Sequence, residues 1–317
     1  MGKPEKRRSK KRLVLERIGL ILLGFLLVFS ITPVGKAFWR QLYVFSGFQG
    51  LVDQAPLELH AIDVGKADAM LLRCEGENIL IDAGTVISGS RVVDYLIRMG
   101  VDHLDYVFAS HPDSDHTGGI AQVLKEIPVD QLVLYPWPEE MRQTLEYRSM
   151  ENAALSAGVP VQEIQVGDTL AFGGAILKVL GPLRDYEESN DCSVVLRLDY
   201  RGFSALFCGD IESQAELDLV KSGEDLDADL LKVPHHGSAS SCSQRFLEAV
   251  SPKYALVSVG PDNSQLPREE TLRRLENVGA EIYRTDTDGD LVFSWDGENL
   301  SLRSEYHNTL ERTEGNP

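Results

Sequence analysis

The sequence predicts an α/β protein: two β-sheets packed face to face with helices outside, an αββα sandwich, following one N-terminal membrane helix. Three observations predict this. Short apolar runs of strand character cluster in both halves of the 317-residue chain, with helical patterns between them. A basic block near the N-terminus is followed by an uncharged apolar run. No repeat or low-complexity segment interrupts the alternation, and the length is ample for a packed core.

Taken in order, residues 1–17 hold eight Lys/Arg, and Ile18–Val34, "IGLILLGFLLVFSITPV", carries no charge. That order predicts a basic cytoplasmic tail over 1–17 and a transmembrane anchor or signal segment over 18–34. The rest then faces outward, displayed on the cell membrane as a single-pass protein. Secretion after cleavage near Gly35–Ala37 is the alternative. Residues 35–55 read as a linker, 56–300 as the folded domain and 301–317 as a C-terminal tail. Within the domain, "LELHAIDVG" alternates into an apolar run that stops at Gly65. "AMLLRCEGENILIDAG" reads as strand, turn and strand, "RVVDYLIRMG" as helix, and "LDYVFAS" as strand. Helix "GIAQVLKEI", strand "QLVLYP" and a helix within 139–157 follow. "VQEIQVGDTLAFGGAILKVLGP" reads as short strands with Gly turns, and "CSVVLRLDYRGFSALFCGD" as a strand pair. Then come strand "ADLLKV", helix "SQRFLEAVSP", strand "YALVSVG", helix "EETLRRLENVGA" and a final strand-and-turn stretch, "EIYRTDTDGDLVFSWDG".

The formal charge of −18 is unevenly spread: residues 1–52 carry ten basic and two acidic residues, the remainder 21 and 47. A body that acidic repels polyanions over most of its surface. Tight non-specific nucleic-acid binding would need a local basic groove, and the body has no basic run. Four scattered cysteines without a C-x-x-C argue against a zinc finger or disulfide scaffold. They read as buried thiols, one disulfide being the alternative for an exported body.

The chemistry concentrates at strand ends. "SHPDSDHTGG", residues 110–119, follows the strand "YVFA" with two His and two Asp. In a tight loop, His111 and Asp113 can face one metal ion, Asp115 and His116 a second. Gly118–Gly119 let the backbone turn closely behind the site and begin a helix. "SALFCGD" ends a strand at Asp210, a carboxylate able to bridge two ions. "LLKVPHHGS" ends another at His235 and His236, of which one ligates and the other binds substrate or relays protons; Ser238 closes that motif. No His lies between His116 and His235, so a third imidazole cannot come from that interval; an oxygen of Asn190, Asp191 or Ser193 could stand in for it, or water could fill the position. Asp63, Asp68 and Asp82 on the opening strands, and Lys66, are candidates for substrate contact or support. His60 and His103 read as structural.

"HPDSDHTGG", "FCGD" and "KVPHHGS", in that order, resemble the metallo-β-lactamase fold, specifically the hydrolase domain of ComEC-like competence proteins. "HAIDVGKADAMLL…ILIDAG", "LGPLRDYEESNDCSVVLRLDYRGFSALFCGD" and "YRTDTDGDLVF" extend the likeness over roughly 57–295. The resemblance implies a hydrolase over 56–300 that uses two divalent metal ions, a phosphodiesterase which in the competence proteins is linked to degrading one strand of incoming DNA. Two departures stand out: "KADA" (Lys66–Ala69) replaces the family's Gln-Gly-Asp-Ser run, and Leu266 stands before Pro267 where the family often has His. The resemblance does not extend to the polytopic channel segment of those proteins, so no channel of its own is expected of this chain. With Asp113 in place of a second His, the first site is oxygen-rich, which shifts preference from zinc toward manganese. The chemistry expected is metal-assisted hydrolysis of single-stranded DNA or another phosphodiester, with Asp115, Asp210 and His236 catalytic. The alternatives are hydrolysis of a small surface ester, phosphocholine-esterase-like or lactonase-like, and a non-catalytic metal-binding surface subunit.

Overall fold

The computed structural model describes residues 10–32, 35, 55–261, 265–306 and 311–313. Residues 1–9 of the expected tail, 36–54 of the expected linker, and 33–34 of the apolar run lie outside them. Helix α1 spans Lys10–Ile31 and so starts inside the basic block. Its uncharged part, from Ile18 on, rises only about 21 Å, against about 30 Å for a bilayer core. Lys10, Lys11, Arg12, Glu16 and Arg17 occupy its first turns. Among the described residues, no helix is long and apolar enough to cross a membrane. α1 falls in one of two compact units; the sheets fall in the other.

Connection length decides strand direction in both sheets. β1 (Leu57–Ala61), β2 (Met70–Cys74) and β3 (Glu77–Ile81) follow one another by short connections and pair antiparallel. Glu75 and Gly76, at φ 47° and 99°, make the β2–β3 turn, the left-handed pair that suits a twisted hairpin. Thereafter helices intervene. α2 (Gly89–Arg98) leads to β4 (Leu104–Phe108); α3 (Ser114–Thr117) and α4 (Ile120–Glu126) lead to β5 (Val129–Leu134); α5 (Leu145–Ala157) leads to β6 (Val161–Glu163). A crossover helix returns the chain in the same sense, and β3 to β6 pair parallel.

The second sheet repeats the plan. β7 (Thr169–Phe172), β8 (Ala175–Gly181), β9 (Val195–Tyr200) and β10 (Phe203–Phe207) run antiparallel, with a two-residue turn at Arg201–Gly202. α6 (Ser213–Ser222), α7 (Gln244–Val250) and α8 (Glu269–Asn277) then separate parallel β11 (Leu230–Lys232), β12 (Tyr254–Val257) and β13 (Glu281–Arg284). After the one-turn α9 (Thr285–Asp288), β14 (Leu291–Trp295) returns to the first sheet beside β1, followed by β15 (Leu300–Ser304) and β16 (Glu311–Thr313). Among the described residues the sheets thus hold nine and seven strands.

Residues 301–304 and 311–313, expected as a tail, therefore belong to the sheet. Burial alternates along β15, Leu300, Leu302 and Ser304 inward, as a strand with one covered face requires. Between the sheets, Phe293 of β14 meets the rings of Tyr254 and Tyr283, and Phe203 stacks on Trp295 at 5.6 Å. All four cysteines are free and buried.

Candidate metal centre

The parallel strands of both sheets end at one place, and the crevice outside the carboxyl ends of such strands is where open α/β sheets collect polar groups. From the first sheet, β3 delivers Asp82, and β4 delivers Ser110, His111 and the loop into α3 with Asp113, Asp115 and His116. From the second, β10 delivers Asp210, β11 delivers Lys232 and His236, and β12 delivers Ser258. Asp68 comes from the β1–β2 connection, tied by its N–H to the Asp115 carbonyl at 3.2 Å.

Each imidazole is held so that Nε2 points into the cluster. His116 Nδ1 lies 2.8 Å from Asp82 Oδ2, and Asp82 itself accepts from the Ser110 N–H and hydroxyl at 2.8 and 2.6 Å. His236 Nδ1 lies 2.9 Å from the Ser258 carbonyl, and His111 Nδ1 3.1 Å from Ser110 Oγ. Asp210 Oδ1 is 3.4 Å from His116 Nε2, and its Oδ2 is 3.6 Å from His236 Nε2. Asp115 Oδ2 lies 3.7 Å from His236 Nε2, and Asp113 Oδ2 3.8 Å from His111 Nε2.

The cluster also passes a chemical test. His111, His116 and His236 Nε2, Asp210 Oδ1 and Asp68 Oδ1 are buried without a hydrogen-bond partner. Native proteins leave few such atoms, and here five converge. Four sets at this cluster, His111–His116–Asp210, Asp115–His116–His236, Asp68–Asp210–His236 and Asp68–Asp82–His116, bring ligand atoms close enough to hold an ion. The N,O donors suit first-row divalent metals. Burial opposes charge on His116, but Asp210 and Asp82 outweigh it and raise its pKa well above the usual histidine value. Burial likewise opposes charge on Asp115; His236, His116 and Lys66 overcome it and hold the carboxyl well below the usual range. His111 is pushed down, by burial and then by His116.

The remaining sequence candidates separate. His235 turns outward: its Nδ1 is 2.9 Å from Glu212 Oε1 and it joins none of the donor sets, contrary to its expected ligation. Both His235 and His236 have positive φ, 50° and 52°, and that backbone twist sends adjacent side chains to different neighbours. Asn190 and Asp191, expected as oxygen donors, contact Glu212 instead, through its carboxylate at 3.4 Å and its N–H at 2.7 Å. Ser193 accepts from the Asp210 N–H at 3.0 Å, supporting that turn. Ser238 bonds Ser240, and Asp63 accepts from the Gly65 N–H; neither reaches the cluster in the described contacts. Asp82 and Asp68 do, Asp82 as the group that orients His116. Lys66 Nζ lies 3.0 Å from Asp115 Oδ2. His60 is buried against Tyr95 and Glu58, and His103 pairs with Asp130 on the surface. Of the glycines, Gly119 serves by size: its φ is −81°, but a Cβ there would come within 2.0 Å of the Ala83 carbonyl.

Sequence reading missed Lys232 and Ser110. Lys232 is 2% exposed, with Nζ 2.7 Å from Asp68 Oδ2 and 2.9 Å from the Val233 carbonyl. Its signal is a lone lysine inside the apolar "DLLKV". Ser110 is visible only as the residue before His111; its contacts to Asp82, His111 and His116 come from the fold.

The profile of the family described as Metallo-beta-lactamase superfamily matches residues 62–260. ComE operon protein 3 of Bacillus subtilis is 29% identical over 258 residues, 75% of this chain and 33% of that protein. Competence protein ComA of Neisseria gonorrhoeae is 33% identical over 241 residues, 73% and 31%. The chain spans about a third of the length of these curated relatives. Among solved structures, the metallo-beta-lactamase fold protein YhfI from Bacillus subtilis aligns with a TM-score of 0.51 at 13% identity, covering 74% of this chain and 99% of that one.

Proposed function

Because the chain belongs to the metallo-beta-lactamase superfamily, we propose that it is a dinuclear metal-dependent phosphodiesterase acting on single-stranded DNA or a related phosphodiester. The observation that carries the reading is the convergence of five buried, unpartnered donor atoms at the strand ends. Similarity to two competence proteins points the substrate toward nucleic acid.

His111, His116 and Asp210 would hold one ion, and Asp115, His236, Asp210 and Asp68 the other, with Asp113 beside His111 at 3.8 Å. When bound, divalent ions supply Lewis acidity that activates water and offsets charge on a phosphoryl oxygen. The chain's own residues do the rest. Asp82 and Ser110 fix the ring of His116, and the Ser258 carbonyl fixes His236. Lys232 holds Asp68 against the cluster. Asp115 and Asp210 are the carboxylates placed to take a proton from an attacking water. The donor set accommodates manganese or zinc.

The test is to strip residues 53–317 of metal, reload with manganese or zinc, and assay a bis-aryl phosphodiester, single-stranded DNA and a phosphocholine ester. Turnover of the diester and of DNA is expected. Preference for the phosphocholine ester would transfer the assignment to a small surface ester, and stoichiometric metal without turnover to a binding subunit.

Membrane attachment through 18–34, with the body outside the cytoplasm, is a separate proposal resting on charge order. Protease added to intact spheroplasts should digest the body; full protection would overturn it.

A further inference from the structure

Two lysines face the cluster, and they differ in what they can reach. Lys232 is enclosed, its head fixed between Asp68 and the Val233 carbonyl. Lys66 stands at the rim. Its side chain is 34% exposed, and its ammonium is 3.0 Å from Asp115 Oδ2, which is itself 3.7 Å from His236 Nε2. The ammonium is thus one carboxylate away from the donor cluster and open to solvent.

The backbone holds it there. Gly65, at φ 78°, makes the turn; the Ala67 N–H bonds the Gly65 carbonyl at 2.9 Å, and the Gly65 N–H bonds Asp63 Oδ1 at 3.1 Å. Gly260 lies so close behind that a Cβ would come within 2.7 Å of the Lys66 backbone nitrogen. Ala67 and Ala69, which follow Lys66 and flank Asp68, are fully buried.

Charge gives the placement meaning. Lys66 and Lys232 both pair with carboxylates of the cluster, inside a body with 47 acidic residues against 21 basic. A cation at the rim gives an anionic substrate a local contact where the rest of the surface repels it.

We infer that Lys66 is the substrate-binding cation of this site, contacting a phosphate oxygen of a phosphodiester monoanion and selecting it over a neutral ester. This deepens the proposed phosphodiesterase reading and rests on it. Lysine suits such a role as a flexible point charge able to follow the phosphate.

The test compares parent, Lys66→Gln and Lys66→Arg, all metal-loaded. The substrates are a bis-aryl phosphodiester and its neutral methyl triester, which differ in charge but little in shape. In Lys66→Gln the ratio of kcat/KM for diester over triester should fall about tenfold, chiefly through KM, and Lys66→Arg should restore most of it. Metal content should match the parent. A second arm needs no turnover: a labelled phosphorothioate oligonucleotide, followed by anisotropy, should bind Lys66→Gln about tenfold more weakly, with a shallower salt dependence. An unchanged ratio with unchanged binding overturns the role of Lys66. Lost metal in Lys66→Gln also overturns it, because the lysine would then act through Asp115. A parent that turns over neither substrate refutes the phosphodiesterase reading instead, and the binding arm still decides whether Lys66 holds an anion.

Discussion

Asp82 shows how one side chain can set a site without entering it. It stands at φ 60°, a region where Asn and Asp are enriched among non-glycine residues. Asp82→Asn therefore keeps the backbone preference and an acceptor for the Ser110 N–H, and replaces the carboxylate oxygen behind His116 with an uncharged amide group. A carboxylate on Nδ1 fixes ring orientation and raises ligand basicity, and losing such a partner typically costs about 10–100-fold in metal affinity. Asp82→Asn should weaken metal binding by that factor with the fold retained; competition against a chelator measures it, and equal affinity would mean that Asp82 is only a turn residue. The paired histidines give a sharper contrast. His236→Asn should lose metal, because His236 belongs to two of the donor sets. His235→Asn should keep it, because His235 rests on Glu212. Asn tolerates the positive φ at both positions, so the pair isolates the side chain. Equal loss in the two variants would return His235 to the ligand set.

At the scale of elements, the helices that flank the second sheet are joined by a buried carboxylate. Glu216 of α6 is fully buried and accepts the N–H groups of Cys242 and Ser243, the latter at 2.8 Å, at the start of α7. Glu216→Ala would strand both donors, a loss on the order of 3 kcal/mol by the usual cost of unsatisfied buried groups. Denaturant melts of the metal-loaded protein check it, and a change near zero would mean that the helix start finds other acceptors. Burial raises the Glu216 pKa above its ordinary value. A raised folded pKa gives stability that is full below the unfolded value and is lost as pH rises through the folded one. The parent should therefore lose stability relative to Glu216→Gln as pH is raised above the ordinary glutamate value of about 4.3. Glu216 also marks where sequence legibility ended. Strand, polar loop and helix could be read in order, because "SHPDSDH", "CGD" and "PHHGS" cut apolar runs at points where a buried strand must stop. Lys232 could not be read as buried, since its burial depends on Asp68 far away in the chain. Nor could the choice between His235 and His236, which rests on backbone torsions. β15 and β16 were hidden because Arg303, Glu305 and Tyr306 make that stretch look like a solvated tail.

For the whole folded body, the decisive feature is that the donor atoms come from both sheets. His111, Asp115 and His116 follow β4, and Asp68 precedes β2, all in the first sheet. Asp210 and His236 follow β10 and β11 in the second. Between these groups lie five buried donor atoms without partners, four of them on His111, His116, His236 and Asp210. Without an ion, their desolvation and the repulsion of neighbouring carboxylates act against closing the sandwich at this end. With ions, the same atoms cross-link it. Anything that binds the folded chain and not the unfolded one stabilises by mass action, about 2.7 kcal/mol at a free concentration one hundred times Kd. For a domain of this size that is a shift in Tm of about 5–11 °C. Chelator-stripped residues 53–317 should melt lower than the reloaded protein by that amount, in a metal-concentration-dependent way. Hydrogen exchange should show the protection lost first in the strand ends at β4, β10 and β11, where the two sheets share the ions. Identical melting after verified removal of metal would mean that the apo cluster is already satisfied, and the buried donors would then need another partner than a metal ion.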